Sequence, residues 1–237
     1  MSHITAWSHS KLVVYEKCHL WAYYAYVLRI PEPERPLPEG KKEHANDRGT
    51  RIHGLAEAYV GSEQRMEIPA ELEKFTPEFE QLRELNKQGK VSMEGEWAMS
   101  REWKPVAWNS PDAWVRMKLD ALVQMSPTKA VVIDYKTGKL FGNEVKHAEQ
   151  AQLYQLATFM RFPDLKEVIT EFWYTDVNEL KPMKYTRAQG SRFMPTFEKR
   201  GDAIVNERNW DANPNIFSCK WCPYGPKGTG HCKSGVQ

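Results

Sequence analysis

Hydrophobic positions in the first third of the chain recur at helical spacing. Apolar side chains repeat every three to four residues over 8–28, where Ser8 or Ser10 can cap a helix, and a proline-rich extended connector follows. Two further amphipathic stretches, 46–60 and 69–89, repeat the same spacing. We therefore predict three helices before the first strand.

The pattern changes near residue 90 to short apolar runs separated by turn residues. From there on, the predicted elements are strands over Val91–Ser100, Trp114–Gln124 and Ala130–Tyr135, a helix over Glu144–Phe162, a strand over Glu171–Thr175, a helix over 191–210 and an irregular tail over 211–237. This order predicts an α/β fold in which helices flank a mixed central sheet.

Composition is ordinary for a globular protein, with 41% hydrophobic and 27% charged residues. The most apolar run, 20–28, is too short to span a membrane, and the polar start has no signal-peptide pattern, so we expect a cytoplasmic protein without membrane contact. Residues 181–237 carry ten Lys and Arg against four Asp and Glu, which favours an anionic partner. A solvated surface without a partner would show the same charge.

An acid and a base end the predicted strand that precedes the turn Thr137–Gly138. Strand side chains alternate between faces, so Asp134 and Lys136 point the same way, about 6–7 Å apart. A carboxylate that holds a divalent cation, beside an ammonium that offsets developing negative charge, suits phosphodiester hydrolysis. A strand-end salt bridge that faces solvent is the alternative, and the pair taken alone favours it.

Further polar positions extend this pair into a candidate site. Adjacent antiparallel strands would set Asp120 beside Asp134, where like charges call for a cation between them. His53, on the helix before the sheet, would suit Mn²⁺ as well as Mg²⁺ as a third ligand. Gln150 and Tyr154 share one helical face and follow the Asp-x-Lys strand. Each of these residues alone also fits a packing or surface role.

The four cysteines are unevenly placed along the chain. Cys219, Cys222 and Cys232 form C-x2-C-x9-C, whereas Cys18 lies near the N-terminus. In an intracellular chain, such clustering indicates a metal site rather than disulfides. Cys18 would complete a thiolate set suited to a 4Fe–4S cluster, whereas His231 would complete a Cys3His set suited to zinc. We favour the iron–sulfur cluster because it uses all four cysteines, and it would join the N-terminal helix to the tail.

The order of these residues resembles the RecB-type branch of the PD-(D/E)XK nuclease superfamily. The residues that carry the resemblance are His53, Asp120, Asp134-x-Lys136, Gln150-x3-Tyr154 and the four cysteines. The cysteine arrangement resembles the iron–sulfur members of that branch, which include the AddB nuclease domain and the CRISPR-associated and phage-encoded RecB-like exonucleases. The stretches 8–18 and 48–53 also resemble that group, so the likeness spans residues 8–232.

The resemblance implies a restriction-endonuclease-like fold and a role for each residue. The implied metal ligands for Mg²⁺ or Mn²⁺ are His53, Asp120, Asp134 and the Tyr135 carbonyl; the implied catalytic residues are Asp120, Asp134 and Lys136; the implied supports of the active site and the DNA are Gln150 and Tyr154. Lys136 would position or activate the attacking water. The sequence departs from the family at Met117, where glycine usually stands three residues before the first acid.

The resemblance further implies an exonuclease that acts on DNA ends or single-stranded DNA in recombination, repair or phage DNA processing. Residues 1–237 would form one nuclease domain, with an N-terminal helix and connector (1–45), a core (46–210) and a cluster-binding tail (211–237). A helicase, an annealing protein or a CRISPR adaptation protein would be a partner. The alternative is an iron–sulfur DNA-end-binding or interaction subunit whose nuclease site is idle.

Overall fold

A mixed sheet forms the centre of the molecule, for which the computed structural model describes residues 3–64, 66–138 and 141–236. Its strands are β1 (Val91–Met99), β2 (Pro105–Val106), β3 (Val115–Ser126), β4 (Lys129–Lys136), β5 (Glu167–Tyr174) and β6 (Glu179–Thr186). They lie in the order β2-β1-β3-β4-β5-β6. β4 and β5 are parallel, and every other neighbouring pair is antiparallel. The predicted mixed α/β architecture is confirmed.

The last two strands differ from the prediction. β5 begins at Glu167 rather than Glu171, and β6 lies over 179–186, where the sequence predicts no strand. β6 is an edge strand that contains Pro182 and is partly exposed along its length. Proline is tolerated at a sheet edge, and a strand with little buried surface needs few apolar residues. Its sequence therefore lacks the pattern by which buried strands are predicted.

The N-terminal helical segment is interrupted at Cys18. Its elements are α1 (His9–Lys17), α2 (His19–Ala22) and a π-helical turn (Tyr23–Val27). Cys18 has extended backbone, with φ −165° and ψ 118°, so the prediction of one continuous helix over 8–28 is wrong there. At this break the amide of Leu20 donates to Asp211 O at 3.1 Å, and the amide of Asn213 donates to Cys18 Sγ at 3.3 Å. The interruption therefore joins the segment to the C-terminal tail.

The remaining helices flank the sheet and follow the predicted order. They are α3 (Ala45–Gly61), a 3-10 helix (Ala70–Phe75), α4 (Thr76–Lys87), α5 (Glu144–Arg161), α6 (Arg187–Ser191), α7 (Met194–Asn206) and α8 (Ile216–Cys219). The helix predicted over 191–210 corresponds to α7, which is shorter at both ends, and α6 precedes it; the tail is irregular apart from α8, as predicted. No helix within the described ranges is both long enough and apolar enough to cross a membrane.

Alternation along β4 divides the hydrophobic core into two layers. Ile133 and Tyr135 pack with side chains of α3 and α4, whereas Val132 packs with side chains of α1, α5 and α7. Full burial of a large apolar side chain contributes about 1.5–3 kcal/mol. Because β4 has a packed layer on each side, its C-terminal end, which carries Asp134 and Lys136, is held firmly from both faces.

Candidate active site

The sheet opens between β3 and β4 at the two predicted acids. The antiparallel register of these strands runs as far as Ala121 and Ile133. At the next position the amide of Tyr135 donates to Asp120 Oδ2 at 2.6 Å, so a side-chain carboxylate joins the strands where their register ends. Asp120 and Asp134 are both buried at this opening. We call it the sheet fork, formed by Asp120, Asp134 and Tyr135.

Three metal-binding groups converge on one side of the fork. His53, from α3, places Nδ1 at 2.9 Å from Asp120 Oδ1. Glu94, from β1, joins them: one donor atom each of His53, Glu94 and Asp120 lies within 4.8 Å of the other two. This spacing suits a single ion, and an imidazole with two carboxylates suits Mg²⁺ or Mn²⁺. Glu94 is not among the ligands that the sequence predicts.

Glu94 reaches the fork through an irregularity in β1. Its φ is +46°, in the left-handed region that residues other than glycine rarely adopt. Regular pairing with β3 holds on either side, at Met93–Ala121 and Gly95–Leu119, which sets Glu94 opposite the buried acid of β3. The register is the same on both sides, so this distortion of the backbone adds no residue to β1 and is not a bulge. The glycine that follows is a sequence signal for it, since glycine inside a strand often marks a local bend.

Burial and mutual repulsion shift the titration of these groups. Burial, and then the charge of Asp134, raises the pKa of Asp120. Burial, and then the charge of Asp120, raises the pKa of Glu94. Burial acts to lower the pKa of His53, but the hydrogen bond and charge of Asp120 outweigh it and raise that pKa. All three shifts favour the uptake of positive charge, which a bound cation would supply.

Lys136 is held between Asp134 and Gln150. Its Nζ lies 2.6 Å from Asp134 Oδ2 and donates to Gln150 Oε1 at 2.9 Å. Gln150 Nε2 donates to Asp134 Oδ1 at 3.1 Å and to the Tyr154 hydroxyl at 2.7 Å, and that hydroxyl donates to Lys118 O at 2.8 Å. Apart from the ion pair, Asp134 Oδ2 has no hydrogen bond from the described residues. A solvent-facing salt bridge is therefore wrong for this pair.

Tyr135 contributes its backbone to the fork and its ring to the layer behind it. The ring is buried, with its centroid 5.8 Å from that of His53 and 5.3 Å from that of Phe79. The Tyr135 ring therefore packs edge-on against the His53 imidazole. The role of the Tyr135 carbonyl as a metal ligand stays a prediction.

An ion pair that the sequence does not predict fixes the turn after Lys136. Arg48, on α3, donates to both carboxylate oxygens of Asp176 at 2.8 and 2.7 Å. Asp176 Oδ2 also accepts from the amide of Gly138 at 2.6 Å. Gly138 has φ +93°, which glycine adopts without strain. A bidentate pair is geometrically demanding, so Arg48 sets the position at which β4 ends.

All four cysteines line one cavity between the N-terminal helices and the tail. A zinc ion bound at about 2.3 Å would bring its sulfurs to about 3.8 Å from one another. Among the described residues, the only group of three ligands with donor atoms within 4.8 Å is the one at the fork, so the cysteines do not form a compact metal site in this structure. His231 is exposed, and its Nδ1 lies 2.7 Å from Thr229 Oγ1. The cluster ligands therefore stay a prediction, which rests on the shared cavity.

Comparison with known proteins identifies the family. A model of the PD-(D/E)XK nuclease superfamily matches residues 6–226, whereas no curated protein matches the chain. Among solved structures 25 chains match, one of them described as "Crystal structure of SSO0001". It is 14% identical, and the match covers 100% of this chain and 90% of that chain. The TM-score is 0.46, which is too low to establish a shared fold. Because the family match includes the whole sheet fork and nearly the whole chain, this chain belongs to the PD-(D/E)XK nuclease superfamily.

Proposed function

We propose that this chain is a magnesium- or manganese-dependent deoxyribonuclease that acts as an exonuclease on DNA ends or single-stranded DNA. The observation that carries the proposal is the sheet fork, where two buried acids lie side by side and a lysine is held against the second. Superfamily membership supports metal-dependent nuclease activity. The preference for DNA ends rests on the RecB-like order of the motifs.

The metal would lie against the acids of the fork. His53, Glu94 and Asp120 would hold it, and Asp134 and the Tyr135 carbonyl would complete the set that the motif order implies. Glu94 is added to that set because its carboxylate lies in the same three-ligand group. When bound, the metal would lower the pKa of a coordinated water and neutralise charge on the scissile phosphate.

The side chains beside the metal would assist the reaction directly or position the groups that do. Lys136 would orient the attacking water and offset negative charge that develops on the phosphate. Gln150 and Tyr154 would position Lys136 and Asp134 through the hydrogen bonds that tie them to β3. Burial raises the pKa of Tyr154 well above its usual range, so its hydroxyl stays protonated and continues to donate to the Lys118 carbonyl.

We further propose that Cys18, Cys219, Cys222 and Cys232 bind a 4Fe–4S cluster. The four residues line one cavity, and a 4Fe–4S cluster would use all four thiolates. The cluster would be structural, because it would join the break at Cys18 to the tail. Anaerobically purified protein should show the visible absorption of iron–sulfur centres. Zinc in place of iron would contradict this part of the proposal.

Cleavage of end-labelled DNA tests the nuclease proposal. Single-stranded DNA and blunt duplexes are incubated with Mn²⁺ and wild type, Asp134→Asn or Asp112→Asn, the last an exposed acid outside the fork. We expect wild type and Asp112→Asn to remove nucleotides from an end, and Asp134→Asn to leave the DNA intact. Binding without cleavage by wild type would instead favour the idle DNA-end-binding subunit. Equal cleavage by Asp134→Asn would contradict the assignment of the site.

A further inference from the structure

β3 carries two cations on its approach to the sheet fork. Arg116 and Lys118 precede Asp120 by four and two residues, so the alternation of strand side chains sets all three on one side of β3. Successive members of this row lie about 6–7 Å apart along the strand. The Lys118 side chain is 60% exposed, whereas Met117 and Leu119 between the members are buried. The row therefore faces solvent and leads to the metal-binding acids.

One indole contacts both cations of the row. The Arg116 guanidinium lies 5.6 Å from the centroid of the Trp108 ring, and Lys118 Nζ lies 5.7 Å from the same ring. Arg116 Nε also donates to the Trp108 carbonyl at 2.8 Å. These contacts place Arg116 and Lys118 on the same side of β3 independently of the alternation. We call Trp108, Arg116 and Lys118 the β3 track.

Charged residues border both ends of the β3 track. At the fork, Lys118 is close enough to Glu94 for the two charges to interact, so the track borders the proposed metal ligands. At the other end, Lys11 of α1 lies close enough to Arg116 and Arg29 for their charges to act on it. The charged row therefore extends from the fork to the N-terminal helical segment.

Lys118 forms a surface ion pair with Glu96, which another anion could replace. Its Nζ lies 2.6 Å from Glu96 Oε1, and the Glu96 side chain is itself half exposed. Surface ion pairs contribute little net stability, because solvent screens both charges. A phosphate oxygen could therefore replace the Glu96 carboxylate at Lys118 without disturbing the fold.

We propose that the β3 track binds the phosphate backbone of a single DNA strand and directs it into the sheet fork. Rows of cations bind phosphates, and an adjoining aromatic ring offers a base a surface on which to stack. A single row of cations along one β-strand suits the one phosphate backbone of single-stranded DNA rather than the two phosphate backbones of a duplex. This inference rests on the proposed nuclease function, because it assigns the path by which the substrate reaches that site.

Binding of a fluorescent single-stranded oligonucleotide tests the proposal. Anisotropy is measured in EDTA, so that no cleavage occurs, over a range of salt concentrations. We expect Lys118→Ala to weaken binding roughly five- to tenfold at low salt and to reduce the slope of log affinity against log salt by about 0.7, the value for one lost phosphate contact on a single strand. The loss on a blunt duplex should be smaller, and an equal loss there would overturn the single-strand assignment.

Two further variants separate a phosphate contact from a general effect of charge. Lys184→Ala is the matched control, because Lys184 is also 60% exposed and pairs with a glutamate, but lies on β6. We expect it to bind as wild type does. Glu96→Gln should bind DNA more tightly, because it frees Lys118 and removes a competing anion. Arg116→Lys retains the charge and should keep the salt slope of wild type.

Equal losses of DNA affinity in Lys118→Ala and Lys184→Ala, or no gain of DNA affinity in Glu96→Gln, would overturn the proposed role of the β3 track. The result is distinguishable from failure of the nuclease proposal, because cleavage by wild type is measured separately. A wild type that cleaves DNA while its binding is independent of Lys118 refutes the track alone. A wild type that never cleaves but binds through Lys118 refutes the nuclease alone.

Discussion

The sheet fork and the cysteine tail are built in opposite ways. At the fork, Asp120 and Asp134 are buried, and hydrogen bonds and ion pairs link them to His53, Lys136 and Gln150. In the tail, large apolar side chains point outward, with Phe217 at 80% and Trp221 at 66% exposure. Among the described residues after 210, none belongs to the hydrophobic clusters of the core.

This difference indicates that the fold itself forms the sheet fork, whereas the proposed cluster site in the tail would depend on what it binds. The fork lies at the end of β4, which is packed on both faces, so its geometry exists before a metal arrives. In the tail, Tyr224 is buried but Phe217 and Trp221 are exposed, so the proposed cluster would add to the order of this segment. Substitutions at four positions test this contrast.

The largest effect is expected at Lys136. Lys136→Met should lower the rate of DNA cleavage roughly 100- to 1,000-fold, because it removes the ammonium that offsets charge on the phosphate. Mn²⁺ binding should persist, since Lys136 is not a ligand. Single-turnover cleavage and Mn²⁺ titration measure the two quantities. Lys129→Met, at the other end of β4, is the matched control and should cleave at the wild-type rate. Similar rates for the two variants would remove Lys136 from the mechanism.

Glu94 should show the next largest effect. Glu94→Gln should weaken Mn²⁺ binding roughly 10- to 100-fold, because a carboxylate is lost from the three-ligand group. Glu94→Gly should share that loss but raise the free energy of unfolding by about 1 kcal/mol, because glycine adopts φ +46° without strain. Calorimetry and urea denaturation measure these quantities. Wild-type metal affinity in both variants, with Glu96→Gln as the control, would exclude Glu94 from the site.

The sequence predicts more of the fork than of the tail. Apolar runs place β3 and β4 next to each other, and alternation then sets Asp120 beside Asp134 and Asp134 beside Lys136. Glu94 escapes prediction because its position depends on the pairing of β1 with β3 and on a left-handed backbone, and the apolar pattern shows neither. Arg48 escapes because its partner Asp176 is 128 residues away, and no local pattern signals a pair at that distance.

In the tail, the cysteine spacing predicts a shared site but not the shape of the chain around it. The break at Cys18 is invisible in the sequence, because the apolar spacing of 8–28 continues through it. Tertiary contacts with Asp211 and Asn213 decide the local backbone there. β6 likewise depends on its place at the sheet edge rather than on its own composition.

Loss of one cysteine should affect the tail and spare the fork. Cys18→Ser should lose the iron cluster, and proteolysis within 211–236 should accelerate about tenfold, because the bound centre no longer orders the segment. Mn²⁺ affinity should stay at the wild-type value. Iron analysis, limited proteolysis and metal titration test these outcomes together. A Cys18→Ser protein that keeps its full iron content would refute the proposed ligand set.

The smallest effect is expected at Arg48. Arg48→Lys should lower kcat roughly three- to tenfold, because lysine cannot reproduce the bidentate contact with Asp176 that fixes the turn after Lys136. Steady-state kinetics measure the change. Arg51→Lys, on the same helix and exposed, serves as the control and should keep the wild-type kcat. An unchanged kcat in Arg48→Lys would show that the turn does not position the site.

The most direct test of a preformed metal-dependent site is Mn²⁺ binding without DNA. Electron paramagnetic resonance counts the Mn²⁺ ions bound by wild type and by Asp120→Asn. Since His53, Glu94 and Asp120 share one three-ligand group, we predict one ion bound by wild type and its loss in Asp120→Asn. Equal Mn²⁺ binding by the two proteins would contradict the sheet fork as the metal site.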